Sequence, residues 1–172
     1  NSDRRKFTDG DSKSNTIYTS NIVKVNGTTT VEEGTFLVDN YQTTCMNNII
    51  VNSGGKLAIG DFGTLAIENG KSLTVNNSGF LDLTGSAGGA ATITHNTGYY
   101  ILNIESGATI GAVYGTFEYM NTTGVNIKTG SLVDNMKPFS YCTFRNGQSG
   151  GTLLTVNNNQ TFYVENAVFD IH

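Results

Sequence analysis

Acidic side chains are the most numerous groups in this sequence that could act as catalytic acids and bases. An inverting glycosidase needs two carboxyl groups on one face, about 6.5–9.5 Å apart. From Glu32 onward the chain has eleven Asp and Glu residues, and none of them forms an Asp-Asp or Asp-x-Asp pair. Arg145 is the only arginine beyond Arg5, so a groove for a polyanion would be short of cations. The pattern therefore predicts solvated turn carboxylates and a protein that is not an enzyme.

Metal-binding and nucleophilic residues are equally sparse. Asp9 and Asp11 could begin a Ca²⁺ loop because hard oxygen ligands suit that ion, but Lys13 stands where an EF-hand needs a third ligand. The two histidines, His95 and His172, lie outside any Gly-x-Ser-x-Gly or Ser-His-Asp pattern. We therefore expect no metal ion, no cofactor and no catalytic nucleophile, and we interpret the aspartate pair as part of a polar turn.

Tyrosine residues offer a different chemistry, because their rings present broad apolar faces with a polar end. Tyr99 follows a glycine and Tyr114 precedes one, so these two are the strongest candidates for exposed rings that contact a polysaccharide. Period-2 alternation instead directs Phe117 and Tyr119 into the core. Two interpretations of the aromatic residues therefore stay open: packing in the core or at corners, or an exposed patch of at least two rings.

The composition limits the classes of fold and partner that could position these residues. The chain has 24 Thr, 21 Asn and 21 Gly, which together make 38% of its 172 residues. These residues favour strands and turns over helix interiors, so a helical bundle or coiled coil is excluded. The net charge of −4 argues against a basic nucleic-acid-binding face, and no apolar run approaches a membrane span. With only 14% charged residues, the composition favours an extracellular or cell-surface protein.

A short repeat dominates the middle of the chain. Four triplets, each with two large aliphatic residues around a smaller or polar one, begin at intervals of eight residues: Leu57-Ala58-Ile59, Leu65-Ala66-Ile67, Leu73-Thr74-Val75 and Leu81-Asp82-Leu83. This alternation predicts short strands with one buried face, separated by Gly- and Asn-rich turns. Looser copies continue to Phe162–Val164 and Val168–Ile171.

Strands this short bury too little surface for hairpins, but they are stable when stacked along an axis. Three strands of eight residues give a coil of 24, which places Leu81 on Leu57 and Leu83 on Ile59. We therefore predict an all-β, single-stranded, three-sided parallel β-helix (β-solenoid) of six to seven coils. A polar N-terminal arm covers residues 1–16, and the β-helix domain covers residues 17–172.

The two cysteines provide a check on this fold. Cys45 and Cys142 are 97 residues apart, or about four coils. At about 4.8 Å per coil they would lie near 19 Å from each other, far beyond the roughly 7 Å limit for a disulfide. We therefore expect two free cysteines that fill the core.

Two segments of the sequence carry a family resemblance. Residues 140–147 (SYCTFRNG) and 164–170 (VENAVFD) resemble coils of right-handed parallel β-helix proteins, the pectate-lyase-like group. The Gly-x-Leu-x-Ile rhythm is similar to repeats of bacterial secreted adhesins and surface proteins. The resemblance implies a right-handed helix. Many proteins of that group cleave acidic polysaccharides, so it also implies an enzyme as one alternative.

The ends of the predicted stack suggest a function. Natural solenoids cap their open strand edges, whereas no cap is visible here, and we expect Phe7, Ile17, Phe169 and Ile171 to form a subunit interface. The prediction is a non-enzymatic extracellular structural protein that assembles head-to-tail with copies of itself into a filament or surface fibre. The alternatives are a carbohydrate-binding or adhesin module of a larger secreted protein, a polysaccharide lyase or hydrolase, and a phage tail-spike fragment.

Overall fold

The computed structural model describes residues 6–7, 16–19 and 23–170, and within these ranges every regular element is a β-strand. None of the described residues forms a helix, so no helix there could cross a membrane. In chain order the strands are β1 (Lys6–Phe7), β2 (Thr16–Thr19), β3 (Val23–Val25), β4 (Thr29–Val31), β5 (Gly34–Val38), β6 (Gln42–Cys45), β7 (Ile49–Val51), β8 (Gly55–Ile59), β9 (Thr64–Ile67), β10 (Ser72–Val75), β11 (Phe80–Thr84), β12 (Ala91–His95), β13 (Tyr100–Ile104), β14 (Thr109–Val113), β15 (Gly115–Glu118), β16 (Met120–Ile127), β17 (Leu132–Ser140), β18 (Thr143–Arg145), β19 (Leu154–Val156) and β20 (Val168–Asp170).

The strands form three parallel sheets, and each coil contributes one strand to each sheet in turn. Sheet A has the order β1-β4-β7-β10-β13-β16-β19, sheet B the order β2-β5-β8-β11-β14-β17, and sheet C the order β3-β6-β9-β12-β15-β18-β20. Every strand pairs with its equivalent one coil away, and never with the next strand of its own coil. The predicted three-sided parallel β-solenoid is confirmed, with about six turns.

The register of the central coils follows the eight-residue repeat. Leu81 pairs with Leu57 and Leu83 with Ile59, as the spacing predicts. Other coils are shorter or longer than this one. Between β4 and β7 the chain advances only from Thr29 to its partner Ile49, whereas between β10 and β13 it advances from Ser72 to Ile101. The extra residues form corners such as the glycine-rich turn at 85–89, in which Ser86 and Gly89 bond to each other and the Gly85 N–H donates to the Val113 carbonyl of the next coil.

The core is a column of inward-facing side chains between the three sheets. Successive strand residues alternate between buried and half-buried, which is the pattern of a sheet with one face in the core. Tyr100 and Phe117 are fully buried, so the inward position predicted for Phe117 is confirmed. The same prediction is wrong for Tyr119, which is half-buried. β15 ends at Glu118, and Tyr119 turns the corner with φ of 63°, which breaks the alternation.

The corner between sheets B and C has an unusual backbone. A non-glycine residue with left-handed φ recurs there, as Asn40 (58°), Phe62 (56°), Tyr114 (49°), Tyr141 (57°) and Asn166 (53°). Asparagine adopts this conformation readily, but an aromatic residue there costs about 1–3 kcal/mol and persists only when neighbouring coils hold it. The stacking of neighbouring coils therefore holds the aromatic residues at this corner in their left-handed conformation.

The last coil differs from the prediction in sheet B. Phe162–Val164 forms no strand, and residues 157–167 connect β19 to β20 without one. Among the described residues, sheet B therefore ends at β17, while sheets A and C each continue by one strand. The ring of Phe162 still packs against the core, with its centroid 6.2 Å from that of Phe139.

Candidate functional site

The end of the solenoid formed by the last coil exposes side chains that continue the core. We call Leu154, Val156, Phe162 and Phe169 the C-terminal face. Val156 pairs with the fully buried Ile127, yet 41% of it is exposed. Phe169 is in register with the buried Phe144 and is 47% exposed. Among the described residues the C-terminal face is therefore an exposed section of hydrophobic core, bordered by β19 and β20, the last strands of their sheets.

A ladder of phenylalanine rings leads to this face through sheet C. The rings of Phe117 and Phe144 stack with centroids 5.1 Å apart, and those of Phe144 and Phe169 with centroids 4.8 Å apart and planes 4° from parallel. These separations are close to the spacing between neighbouring strands. Phe144 covers one side of the Phe169 ring, so the geometry leaves room for one further side chain in the same ladder.

At the N-terminal end of the solenoid, the first strand of each sheet is in register with the strand of the next coil. Phe7 in β1 pairs with Val31, Ile17 in β2 pairs with Phe36, and Val23 in β3 pairs with Thr43. The register position that is buried in the middle of sheet A runs through Phe7, Val31, Val51, Val75, Ile104, Ile127 and Val156. The corresponding position of sheet C runs through Val23, Thr43, Leu65, Ile93, Phe117, Phe144 and Phe169.

The residues expected at the interface thus occupy the ends of these registers. Phe7 and Ile17 lie in first strands, and Phe169 lies in the last strand of sheet C. Ile171 lies outside the described residues. Sequence reasoning missed Val156, which follows its partner Ile127 at a longer interval than the central repeat. The strands β10 and β13 pair at the same sequence separation as Ile127 and Val156. Allowing for coils of this greater length would have identified Val156 from the sequence.

A groove lies beside the C-terminal face, at the corner between sheets C and A. Its cavity of about 430 Å³ is bounded by Tyr99, the segment 147–154, Phe169 and Asp170. Tyr99 is 37% exposed, and its backbone N–H donates to Asn69 Oδ1 over 3.1 Å, which holds the corner in place. The groove combines an aromatic ring with amide, hydroxyl and carboxylate groups, a set of side chains that suits a polyhydroxylated ligand.

Tyr114 lies at a different corner from Tyr99. It connects β14 to β15, and its ring stacks on that of Tyr141 with centroids 4.7 Å apart and planes 12° from parallel. Tyr141 therefore occupies one face of the Tyr114 ring. The structure does not bring the two predicted glycan contacts together, and of the two only Tyr99 lines the groove.

The most buried carboxylate of the described residues lies on the outer face of sheet B. Asp82 is only 5% exposed, in the middle of β11, and its two oxygens lie 2.5 Å from Lys56 Nζ and 2.5 Å from Lys137 Nζ. The expected solvated turn carboxylate is therefore wrong for Asp82. Burial raises its pKa, but the hydrogen bonds and charges of the two lysines outweigh burial, and the pKa of Asp82 is lowered.

Lys137 reaches Asp82 because β17 has a bulge. Ile110 pairs with Val133 and Ala112 with Pro138, so residues 134–137 lie opposite Gly111 alone. A Cβ on Gly111 would lie 3.0 Å from the Cβ of Asp134, so glycine makes room for this bulge. The ion pairs attach the bulge to the sheet, and both ammonium groups are held by one carboxylate.

Other titratable groups form surface networks along the corners. Glu68 accepts hydrogen bonds from Thr97 Oγ1 and, over 2.7 Å, from Asn96 Nδ2, and these bonds lower its pKa. Arg145 Nε lies 2.8 Å from Glu118 Oε2. Within the described part of the chain, no three His, Cys, Asp or Glu side chains are grouped to hold a metal ion. The predicted turn at Asp9 and Asp11 lies outside that part.

Both cysteines are free and buried, as expected from their separation. Burial raises the pKa of each thiol to about 11. Cys45 Sγ lies 3.9 Å from Thr29 Oγ1, and Cys142 Sγ accepts a hydrogen bond from the Gly115 N–H over 3.3 Å. These contacts make the thiols core residues with little thiolate at neutral pH.

The fold and these surfaces define a class, the parallel β-solenoids. No family model matches the chain, and neither a curated protein nor a solved structure matches it. The functional interpretation is therefore based on the geometry of this molecule.

Proposed function

We propose that this protein is a non-enzymatic structural β-solenoid that assembles head-to-tail with copies of itself into a filament or surface fibre. The single observation that supports the proposal is the C-terminal face, where Val156 and Phe169 are exposed in positions that are buried one coil earlier. The strands β1 and β3 of a second copy offer the register that would continue sheets A and C. An extracellular or cell-surface location is part of the proposal, and the low content of charged residues supports it.

The physical basis is that one contact satisfies two needs. Apolar side chains of the C-terminal face would leave water, which contributes about 25 cal/mol for each Å² buried. The backbone groups at the outer edges of β19 and β20, which no further strand of the described residues pairs with, would gain hydrogen-bond partners from β1 and β3 of the second copy, as in strand addition. Because the two surfaces are different, the contact is heterologous, and repetition without closure builds a linear fibre. Right-handed winding, as in pectate-lyase-like proteins, belongs to the same proposal.

Sedimentation velocity over a range of concentrations, followed by negative-stain microscopy, tests this function on the purified chain. We expect the average mass to rise with concentration above the 18.4 kDa of one chain, and we expect unbranched threads on the grid. A single species of one-chain mass at every concentration would contradict the proposal.

The groove at Tyr99 supports a second candidate, carbohydrate binding by an adhesive module of a larger secreted protein. An exposed tyrosine ring lies there beside Gln148, Ser149 and Asp170, whose polar groups could bond to hydroxyl groups. The cavity of about 430 Å³ lies within the range of small-ligand sites.

Affinity electrophoresis in gels containing neutral or acidic polysaccharides tests this candidate. We expect Tyr99→Ala to weaken retention about fivefold, since an aromatic contact contributes about 1 kcal/mol. Tyr41→Ala is the matched control, because Tyr41 is 45% exposed and does not line the groove. Equal retention of all three proteins would rule out binding through Tyr99. Release of new sugar ends during incubation would instead indicate a lyase, a hydrolase or a tail-spike fragment.

A further inference from the structure

The edge of sheet B at the C-terminal face is covered by side chains. In β17 the N–H of Leu132 bonds to the Ala108 carbonyl of the preceding coil, so the N–H and C=O of Val133 point the other way, toward the last coil. In sheets A and C such groups bond to β19 and β20. In sheet B no strand of the described residues follows β17.

Two side-chain amides take the place of that strand. Gln160 Oε1 accepts from the Val133 N–H over 2.7 Å, and Gln160 Nε2 donates to the Val133 carbonyl over 2.7 Å and to Asn135 Oδ1 over 2.8 Å. Asn158 Nδ2 donates to the Ser131 carbonyl over 3.2 Å. The two amides thus follow their backbone partners at the same interval along the chain, which is also the interval between β15 and β18.

We infer that Gln160, supported by Asn158, closes sheet B against strand addition, so that a second copy can pair with the C-terminal face through sheets A and C only. A primary amide carries the same donor and acceptor as a peptide group, so it satisfies the edge without offering a further edge. Charged or covered edges are the usual protection against unwanted pairing. The identity of the partner rests on the proposed function, whereas the closure of the edge does not.

The test is the variant Gln160→Met, which preserves length and removes both hydrogen bonds to Val133. Gln42→Met is the matched control, because Gln42 is an exposed residue of β6 whose side chain bonds to Thr44 Oγ1 in its own strand. Hydrogen exchange at the Val133 amide, measured on dilute monomer, reports the local contact. Sedimentation velocity at equal concentrations reports assembly.

We expect Gln160→Met to raise the Val133 exchange rate about tenfold and to increase the average mass relative to wild type, with no change for Gln42→Met. If wild type is monomeric but Gln160→Met assembles, the proposed function fails while the closure of sheet B is supported. Unchanged Val133 exchange would overturn the closure. If Gln160→Met shows faster Val133 exchange but no greater assembly than wild type, whether or not wild type itself assembles, the inference that Gln160 limits strand addition is overturned.

Discussion

Phe169 is the residue whose removal tests the head-to-tail contact most directly. Its ring ends the phenylalanine ladder, with Phe144 on one side and 47% of the residue exposed. Phe169→Ala removes the ring and leaves the backbone pairing of β20 with β18 in place. We therefore expect weaker assembly by a chain that is still folded.

The size of the effect follows from the exposed area. An aromatic side chain buries roughly 150–250 Å² when fully covered. Covering the exposed 47% of Phe169 therefore removes about 70–120 Å² from water. At about 25 cal/mol per Å² this is about 2–3 kcal/mol, so the dissociation constant of the contact rises about 20- to 150-fold in Phe169→Ala.

Sedimentation equilibrium of wild type, Phe169→Ala and Phe62→Ala measures this difference. Phe62 is the matched control, because it is 60% exposed but lies at a corner between β8 and β9, away from both ends. We expect Phe62→Ala to leave assembly unchanged. Thermal unfolding of dilute samples shows whether the variants are folded.

Two results would refute the reasoning. If Phe169→Ala assembles like wild type, the exposed ring is not part of a contact between copies. If both variants lose assembly equally, the association depends on exposed aromatic residues in general, and the C-terminal face has no special role.

Three further predictions concern the fold itself. The lowered pKa of Asp82 means that its ion pairs stabilise the fold above the unfolded Asp pKa of about 3.9, and that this stability is lost as pH falls through the folded pKa. Asp82→Asn should therefore cost about 2 kcal/mol in urea unfolding at pH 7 and nothing at the acid end. A Cβ at Gly55 would lie 2.3 Å from a carbonyl oxygen of the preceding coil, so Gly55→Ala should lower the melting temperature by about 6–12 °C. Gly88→Ala is the control, because a Cβ at Gly88 would have no neighbour within 4 Å and should leave the melting temperature unchanged. With thiol pKa values of about 11, Cys45 and Cys142 should resist thiol reagents at pH 8 until the chain is unfolded; rapid native labelling would contradict their burial.

The fold was predictable because its signal is local and repeated. The triplets at Leu57, Leu65, Leu73 and Leu81 each bury two aliphatic side chains on one face, and their constant spacing specifies which strands stack. A looser copy of the alternation, predicted at Val168–Ile171, placed Phe169 in the last strand, and β20 lies there. It failed at Tyr119, where a left-handed corner interrupts the alternation, because a two-residue period says nothing about where a strand ends.

The last coil was harder to predict, since its apolar pattern competes with its polar residues. Phe162–Val164 has the alternation of a strand, yet Gln160 bonds to the edge of β17 through its side chain. Glutamine and asparagine amides can imitate the backbone, and nothing in the sequence indicates which group will pair.

By itself, then, the sequence determined the parallel stack, its register in the central coils and the two unpaired cysteines, because each depends on hydrophobic alternation and on distance along the chain. Only the tertiary structure decided which outward side chains become neighbours. Coil length varies along the stack, so a few extra residues bring Lys137 to Asp82 and separate Tyr99 from Tyr114. Contacts between outward side chains depend on the conformation of the extra residues in each corner and bulge, and the packing of neighbouring coils determines that conformation.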